Sequence, residues 1–452
     1  MATIETCDNV LDVLEPVSVD NSIESWQYSD YTPQSQSNLD RRGSPIEIVI
    51  NAADTYLNIS ESYLLFRGQL VKNDNDNPFG ANAEIALVNN AMMHLFSDIR
   101  YSINGKEIER ISHPGQATSM LGYLSFPDDY STGAGLKSCW SKDTTNNASS
   151  KEFNDIPSTG GAVIKNANYN QGFAARRGLL MSSDPRGCFS FVIPFHHIFG
   201  FGEYNKVIYN VKHELTLTRM STDNQAIYRA AGVGDGKIKL SSITWRVPHV
   251  KPERVAVEKM RDVILNKKVI PVAFPARTTE SSFVPRARTF QWRTNVVSGI
   301  EKPRWIIVGF QTDRINSQEQ NPAVFDHLNL TSAHVMLNSE RYPIYDVTCN
   351  FPRNDYSVFY EMFDNFKKEY YGFNALVGGT QVNFPAFKSL FPIIVFDVRR
   401  QSEKIKNGII DMQLHFDFSE NVPENTTAYV LVISDRMYRF ESDGTNLIML
   451  TS

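Results

Sequence analysis

VIYNVKHELTLT, residues 207–218, sets Val207, Tyr209, Val211, His213, Leu215 and Leu217 against Asn210, Lys212, Glu214, Thr216 and Thr218. A period of two sends successive side chains to opposite faces of an extended chain, so the stretch reads as a strand with one buried face. Ile238, Leu240, Ile243, Trp245 and Val247 follow in the same manner and stop at Pro248.

The same habit extends outward. Towards the N-terminus, Pro45-Ile46-Glu47-Ile48-Val49-Ile50 alternates up to Asn51, and Tyr56-Leu57-Asn58-Ile59 leads into Tyr63–Val71. The latter run is apolar on both faces and closes in Asn73-Asp74-Asn75-Asp76-Asn77-Pro78, which favours a strand covered on both sides over a short helix. Towards the C-terminus, Trp305–Phe310 is a second two-sided run, and Met412, Leu414, Phe416 and Phe418 alternate with polar residues. Tyr429–Ile433 is a last apolar run before a short strand around Tyr438 and Phe440. Helical spacing is scarce: Val358, Met362, Phe363, Phe366 and Tyr370 predict a helix over 357–371 capped by Gly372, with shorter candidates at Met92–Phe96 and Met120–Leu124.

Two matches at nearly equal offset point to an internal repeat. Tyr101-Ser102-Ile103-Asn104-Gly105-Lys106-Glu107-Ile108 resembles Val335-Met336-Leu337-Asn338-Ser339-Glu340-Arg341-Tyr342, each a strand, an Asn-centred turn and a strand. Leu64–Gly68 likewise resembles Trp305–Gly309. The expected organisation is an acidic mobile arm over 1–44, a first β unit over 45–250 and a second over 251–452. The arm rests on eight acids and no Lys or Arg in the first 40 residues. Within the first unit, 112–175 loses periodicity and fills with Gly, Ser, Asn and Asp, so it is expected as a long loop, either surface decoration or an exposed tower.

The chain has 452 residues, 42% of them apolar, and a net charge of −5. It is long enough for a large core and lacks the basic balance of a nucleic-acid-gripping surface. Cys7, Cys139, Cys188 and Cys349 form no C-x-x-C pair, which argues against a disulfide framework and a zinc ribbon. No run of about 18 apolar residues is present, so no membrane span is expected. The first residues lack a basic stretch followed by an apolar one, so no secretory signal is expected and the N-x-S/T sites at Asn58, Asn147, Asn329 and Asn425 read as chance.

Reactive motifs fail one by one. Gly232–Lys237 lacks the first glycine and the Ser/Thr of a phosphate loop, and Asp74–Asn77 lacks the later ligands of a calcium loop. His213-Glu214 has Leu217 where a zinc protease needs His, and the His196-His197 pair sits among Phe195, Ile198 and Phe199 as packing residues. Arg41-Arg42, Arg176-Arg177, Lys267-Lys268, Lys367-Lys368 and Arg399-Arg400 are isolated pairs that read as solvated faces. No catalytic, cofactor-binding or metal-binding residue is assigned, no cofactor is expected, and the chain reads as a non-enzyme.

Pro45–Ile50, Tyr56–Ile59 and Tyr63–Asp76 resemble the first strands of double jelly-roll major capsid proteins of Polinton-like and adintovirus-like DNA viruses. Val88–Asp98 with Ser102–Lys106, Phe191–Gly200 and Lys206–Arg219 are similar to later segments of that family. The resemblance implies an all-β fold of two eight-stranded antiparallel jelly-roll sandwiches side by side, with a few short helices and long tower loops. It further implies a hexon-like homotrimeric capsomer that tiles an icosahedral shell around double-stranded DNA, meets penton and minor or cement proteins, touches packaged DNA weakly, and resides in the virion. Trp140, Phe201 and Tyr204 are then expected at trimer contacts. Charge reversal at Arg219 or Arg177 is expected to disturb assembly less than removal of 1–44. A jelly-roll carbohydrate-binding module and a domesticated cellular capsid gene are the alternatives.

Overall fold

Eight strands of the first half divide equally between two antiparallel sheets. They are β1 (Ile23–Tyr31), β2 (Pro45–Asn51), β3 (Tyr63–Lys72), β4 (Phe96–Ile103), β5 (Lys106–Ser112), β6 (Cys188–Pro194), β7 (Lys212–Arg219) and β8 (Gly236–Pro252). One sheet runs β1-β8-β3-β6 and the other β2-β7-β4-β5. The second half supplies β9 (Ile270–Val284), β10 (Thr289–Thr294), β11 (Lys302–Thr312), β12 (Leu330–Leu337), β13 (Glu340–Tyr342), β14 (Ile394–Asp397), β15 (Met412–Phe418) and β16 (Thr426–Ser442). Its sheets run β9-β16-β11-β14 and β10-β15-β12-β13. Adding eight to every label of the first pair of sheets yields the second pair, so one jelly-roll topology occurs twice. The computed structural model describes residues 22–35, 39–51, 55–153, 163–294, 302–372, 380–401, 410–442 and 447–450.

The repeat seen in the sequence has a hydrogen-bonding cause. Asn104 and Asn338 both sit in the left-handed region, at φ 50° and 54°, in the turns that join β4 to β5 and β12 to β13. Asn104 N–H donates to Lys212 O while Asn104 Oδ1 accepts from Lys212 N–H, each at 2.8 Å. Asn338 makes the same two bonds, also 2.8 Å, with Asp411. Each Asn thus closes its hairpin and pins it to the next strand of the sheet; asparagine tolerates this backbone and carries an acceptor short enough to do both.

Alternation fills the two cores. Ile46, Ile48 and Ile50 of β2, Leu215 and Leu217 of β7, and Ile99, Tyr101 and Ile103 of β4 face the first; Ala333, Val335, Met412, Leu414 and Phe416 face the second. The two-sided run in β11 is explained by α4 (Ser357–Tyr371), whose Phe359, Phe363 and Phe366 cover the outer face, with the Phe366 ring 4.8 Å from Trp305. That helix spans the predicted residues, and Gly372 caps it at φ 71°.

Two expectations need correction. The arm foreseen over 1–44 contains β1, paired with β8 from Ile23↔Pro252 to Tyr31↔Trp245 and held by Asp30 on Arg246 (2.7 Å) and Glu24 on Lys251 (2.7 Å). An edge strand with one weakly buried face and many polar residues carries little apolar periodicity, so pairing rather than burial makes it a strand. Residues 1–21 of the foreseen arm lie outside the described residues. The loop foreseen over 112–175 contains α1 (Pro114–Ser125), buried from Pro114 to Leu124. A helix enclosed on all sides shows no amphipathic stripe. Its glycines permit that enclosure: a Cβ on Gly115 would lie 2.3 Å from His94 Nδ1, and one on Gly122 would lie 2.2 Å from the Trp140 ring.

Candidate functional site: the junction between the two sandwiches

Glu109, on β5, is fully buried and faces the second sandwich. Its Oε1 accepts from Gly200 N–H (3.0 Å) and Arg277 N–H (2.7 Å), and its Oε2 accepts from Phe201 N–H (3.0 Å). Arg277 belongs to β9, so a carboxylate of the first sandwich ties down the backbone of the second. The Arg277 guanidinium returns the link, donating to His196 O (2.9 Å), His197 O (3.0 Å) and Glu203 (2.9 Å). Tyr370 of α4 donates to the same Glu203 carboxylate at 2.9 Å. Gly200 is required for this approach, since a Cβ there would lie 1.7 Å from Pro275 O.

Burial pushes the Glu109 carboxyl up from its ordinary value, and Arg277 and the three amides pull it back in part. Burial also works against the Arg277 charge, but Glu203 and Glu109 hold its pKa above the usual arginine value. Paired and hydrogen-bonded on both sides, this ion network is the kind whose rupture costs far more than its formation contributes.

α1 forms a second link. Met120, Leu121, Tyr123 and Leu124 pack into the core of the second half, although the chain has not yet left the first. Tyr123 Oη accepts from Asn89 (3.0 Å) and donates to Ala323 O (2.9 Å), and Gln381 donates to Gly122 O at 2.6 Å. A third link is the buried pair Arg176–Asp143 at 2.7 Å, in which Asp143 also accepts from Asn170 and from Asn321 of the second half, both 2.9 Å. Arg176 lies on α2 (Gln171–Met181), whose N-cap Asn170 accepts from Phe173 N–H (3.2 Å).

Several sequence readings change here. Trp140 and Phe201 are buried, each 1% exposed, so neither reaches a subunit interface; Tyr204 is half-buried beside a cavity. The basic pairs read as solvated faces are in part interior, since Arg176 and Lys367 are buried; Arg219 is buried as well, against Asp223 at 2.8 Å. Charge reversal at Arg219 therefore buries like charges and is no mild perturbation. His196-His197 is a packing element as read, with His197 stacked on Phe126 at 5.1 Å.

Sequence reasoning missed Glu109, Asp143 and Arg277, because a buried ion looks like any surface charge until its partners are known. The Asn170 helix cap was the one local signal available. Among the described residues, no group of three His, Cys, Asp or Glu side chains is placed to hold a metal ion. Burial pushes the thiols of Cys139 and Cys349 up to about 11 and about 12, which leaves them weak nucleophiles. What the junction does is mechanical: it holds two sandwiches at one fixed relation.

A family model described as a double jelly roll-like domain matches residues 149–438. The chain is similar to one in the cryo-EM structure of the Sputnik virophage, at TM-score 0.59 and 12% identity over 100% of this chain and 93% of that one. It is similar to the mavirus major capsid protein at TM-score 0.52 and 13% identity, covering 100% and 94%. The Faustovirus major capsid protein follows at TM-score 0.54 and 7% identity, covering 94% and 92%. No curated protein matches the sequence.

Proposed function

The chain belongs to the family of double jelly roll-like domains, and from that premise we propose that it is a viral major capsid protein, a structural subunit and not an enzyme. The observation that carries this reading is the doubled topology locked by a buried junction. Two equivalent sandwiches held rigidly in one chain give a trimer six similar sides, and six-sided blocks tile a shell; a flexible tether between the halves would not. The similarity to the mavirus and Faustovirus major capsid proteins over nearly the full length supports the same reading.

In this reading the first unit ends with β8 and the second begins with β9. The homotrimer contacts its neighbours in the shell, penton and minor or cement proteins complete it, and packaged double-stranded DNA is touched weakly, in keeping with a net charge of −5. The protein resides in the virion. Exposed apolar side chains such as Phe283, Ile344 and Tyr345 replace the buried Trp140 and Phe201 as candidates for subunit contacts. No described helix is long and apolar enough to cross a membrane.

Light scattering coupled to size exclusion tests the proposal. Three chains of 51.2 kDa give a species of about 154 kDa, or larger particles built from it. A stable monomer that binds glycans would replace the capsid reading with that of a carbohydrate-binding module.

A further inference from the structure

Where β8 ends, the chain enters α3 (Arg254–Leu265), the helix that precedes β9. Its apolar residues Ala256, Val257, Met260 and Val263 recur on one face, yet each is only half-buried. Under that face lies a cavity of about 430 Å³, within the range of roughly 300–1,000 Å³ that suits small-molecule sites. Met260 and Val263 line it from the helix, Ile208 from the first sandwich, and Ile270 and Phe440 from the second. Tyr56 and Tyr209, their rings 4.5 Å apart, add an aromatic wall.

Water is a poor occupant of such a space, because it needs several polar partners at once. Left empty, the space forfeits dispersion contacts on every wall. An alkyl chain would restore those contacts and ask for no hydrogen bond. The charge of the lining selects the head that such a chain should carry. Lys206 is the only charged residue in it, no Asp or Glu joins it, and Tyr204 lines the same space two positions earlier in the sequence. Lys206 is exposed, which puts the cation where the cavity meets solvent, and it has no ion-pair partner among the described residues. The half-buried Tyr204 has no hydrogen-bond partner for its hydroxyl among them. Apolar walls beside an unpaired cation match an amphiphile with a negative head; a positive head would meet Lys206 as a like charge.

We propose that the cavity binds one alkyl carboxylate, with its chain between α3 and the two sandwiches and its carboxylate on Lys206 and Tyr204. The lining comes from α3 and from both sandwiches, so the bound acid bridges all three and stabilises their arrangement by mass action. A single chain lines the site, and its test is independent of capsid assembly.

Isothermal titration calorimetry of the full chain with octanoate and decanoate, below micelle formation, tests this. Binding should saturate at one acid per chain, and each added methylene should tighten it about fourfold. Decyltrimethylammonium, with the same chain length and the opposite charge, should bind more weakly. Lys206→Glu should reverse that order, and Met260→Trp, which places an indole in the space, should abolish decanoate binding. Hydrogen exchange on the unsubstituted chain locates the acid even if a variant misfolds: decanoate should slow exchange in α3 and over 204–209. Absence of saturable binding overturns the proposal. So does equal binding of the two charges, a preference for decanoate that survives Lys206→Glu, or unchanged exchange in α3 with decanoate bound.

Discussion

Glu109→Gln isolates what holds the two sandwiches together. The substitution keeps the shape and changes one oxygen to NH2. With the amide oxygen in the Oε1 position, the bonds from Gly200 and Arg277 survive, and the new NH2 faces the Phe201 N–H formerly bound at 3.0 Å. Two donors then confront each other in the buried junction, and the Arg277 guanidinium, bonded to Glu203, loses the nearby Glu109 charge. One unpaired buried N–H costs about 1–3 kcal/mol and loss of a charged acceptor adds to it, so a total of about 2–4 kcal/mol is expected. Differential scanning calorimetry is the assay. The unsubstituted chain should unfold in one transition, because the junction couples the halves, and the variant in two separated ones. Glu107→Gln is the control: two positions away, Glu107 is 48% exposed and paired with Arg100 at 3.1 Å, so its loss should stay within about 0.5 kcal/mol. If Glu109→Gln behaves like Glu107→Gln, the junction is not what couples the sandwiches. The pH dependence supplies a second check. The folded-state value of Glu109 lies above the unfolded one, so its contribution is full below the unfolded value and declines as pH rises through the folded value. The Gln variant should lack that decline.

Other outcomes follow from the same structure. Gly200→Ala should fail to yield folded protein by circular dichroism and size exclusion, since its Cβ would lie 1.7 Å from a backbone oxygen. Arg176→Met, which leaves Asp143 buried and unpaired, should lower stability to urea by about 3–5 kcal/mol. Acid should unfold the protein progressively below pH 6.5 towards about 3, because burial holds His94, His197 and His213 neutral at values of about 3 while the unfolded chain protonates them. Tryptophan fluorescence follows that transition, and His213→Leu should make its pH slope shallower. Removing 1–31 should cause aggregation by stripping β1 from the 245–252 edge of β8, whereas removing 1–21 should leave a folded chain.

Strand periodicity by itself determined the all-β class, most strands of both sandwiches, the helix over 357–371 and the Asn-centred repeat. Each of these is written in local spacing: apolar residues two apart, aromatic residues three and four apart, an Asn where a hairpin must turn left-handed. Tertiary structure alone decided the rest. β1 is a strand because β8 offers it an edge, not because its own residues alternate towards a core. α1 showed helical spacing only at Met120–Leu124, and its first turns looked like loop because a helix enclosed by both halves shows no stripe and its glycines are contact points rather than breakers. Arg176 looked like a solvated charge because a charge reveals its burial only through its partner, and Asp143 stands 33 residues away in sequence. The Glu109–Arg277 link, 168 residues apart, lies furthest beyond local reading: it exists only once two separately folded sheets meet, and that meeting turns two jelly rolls into one rigid building block.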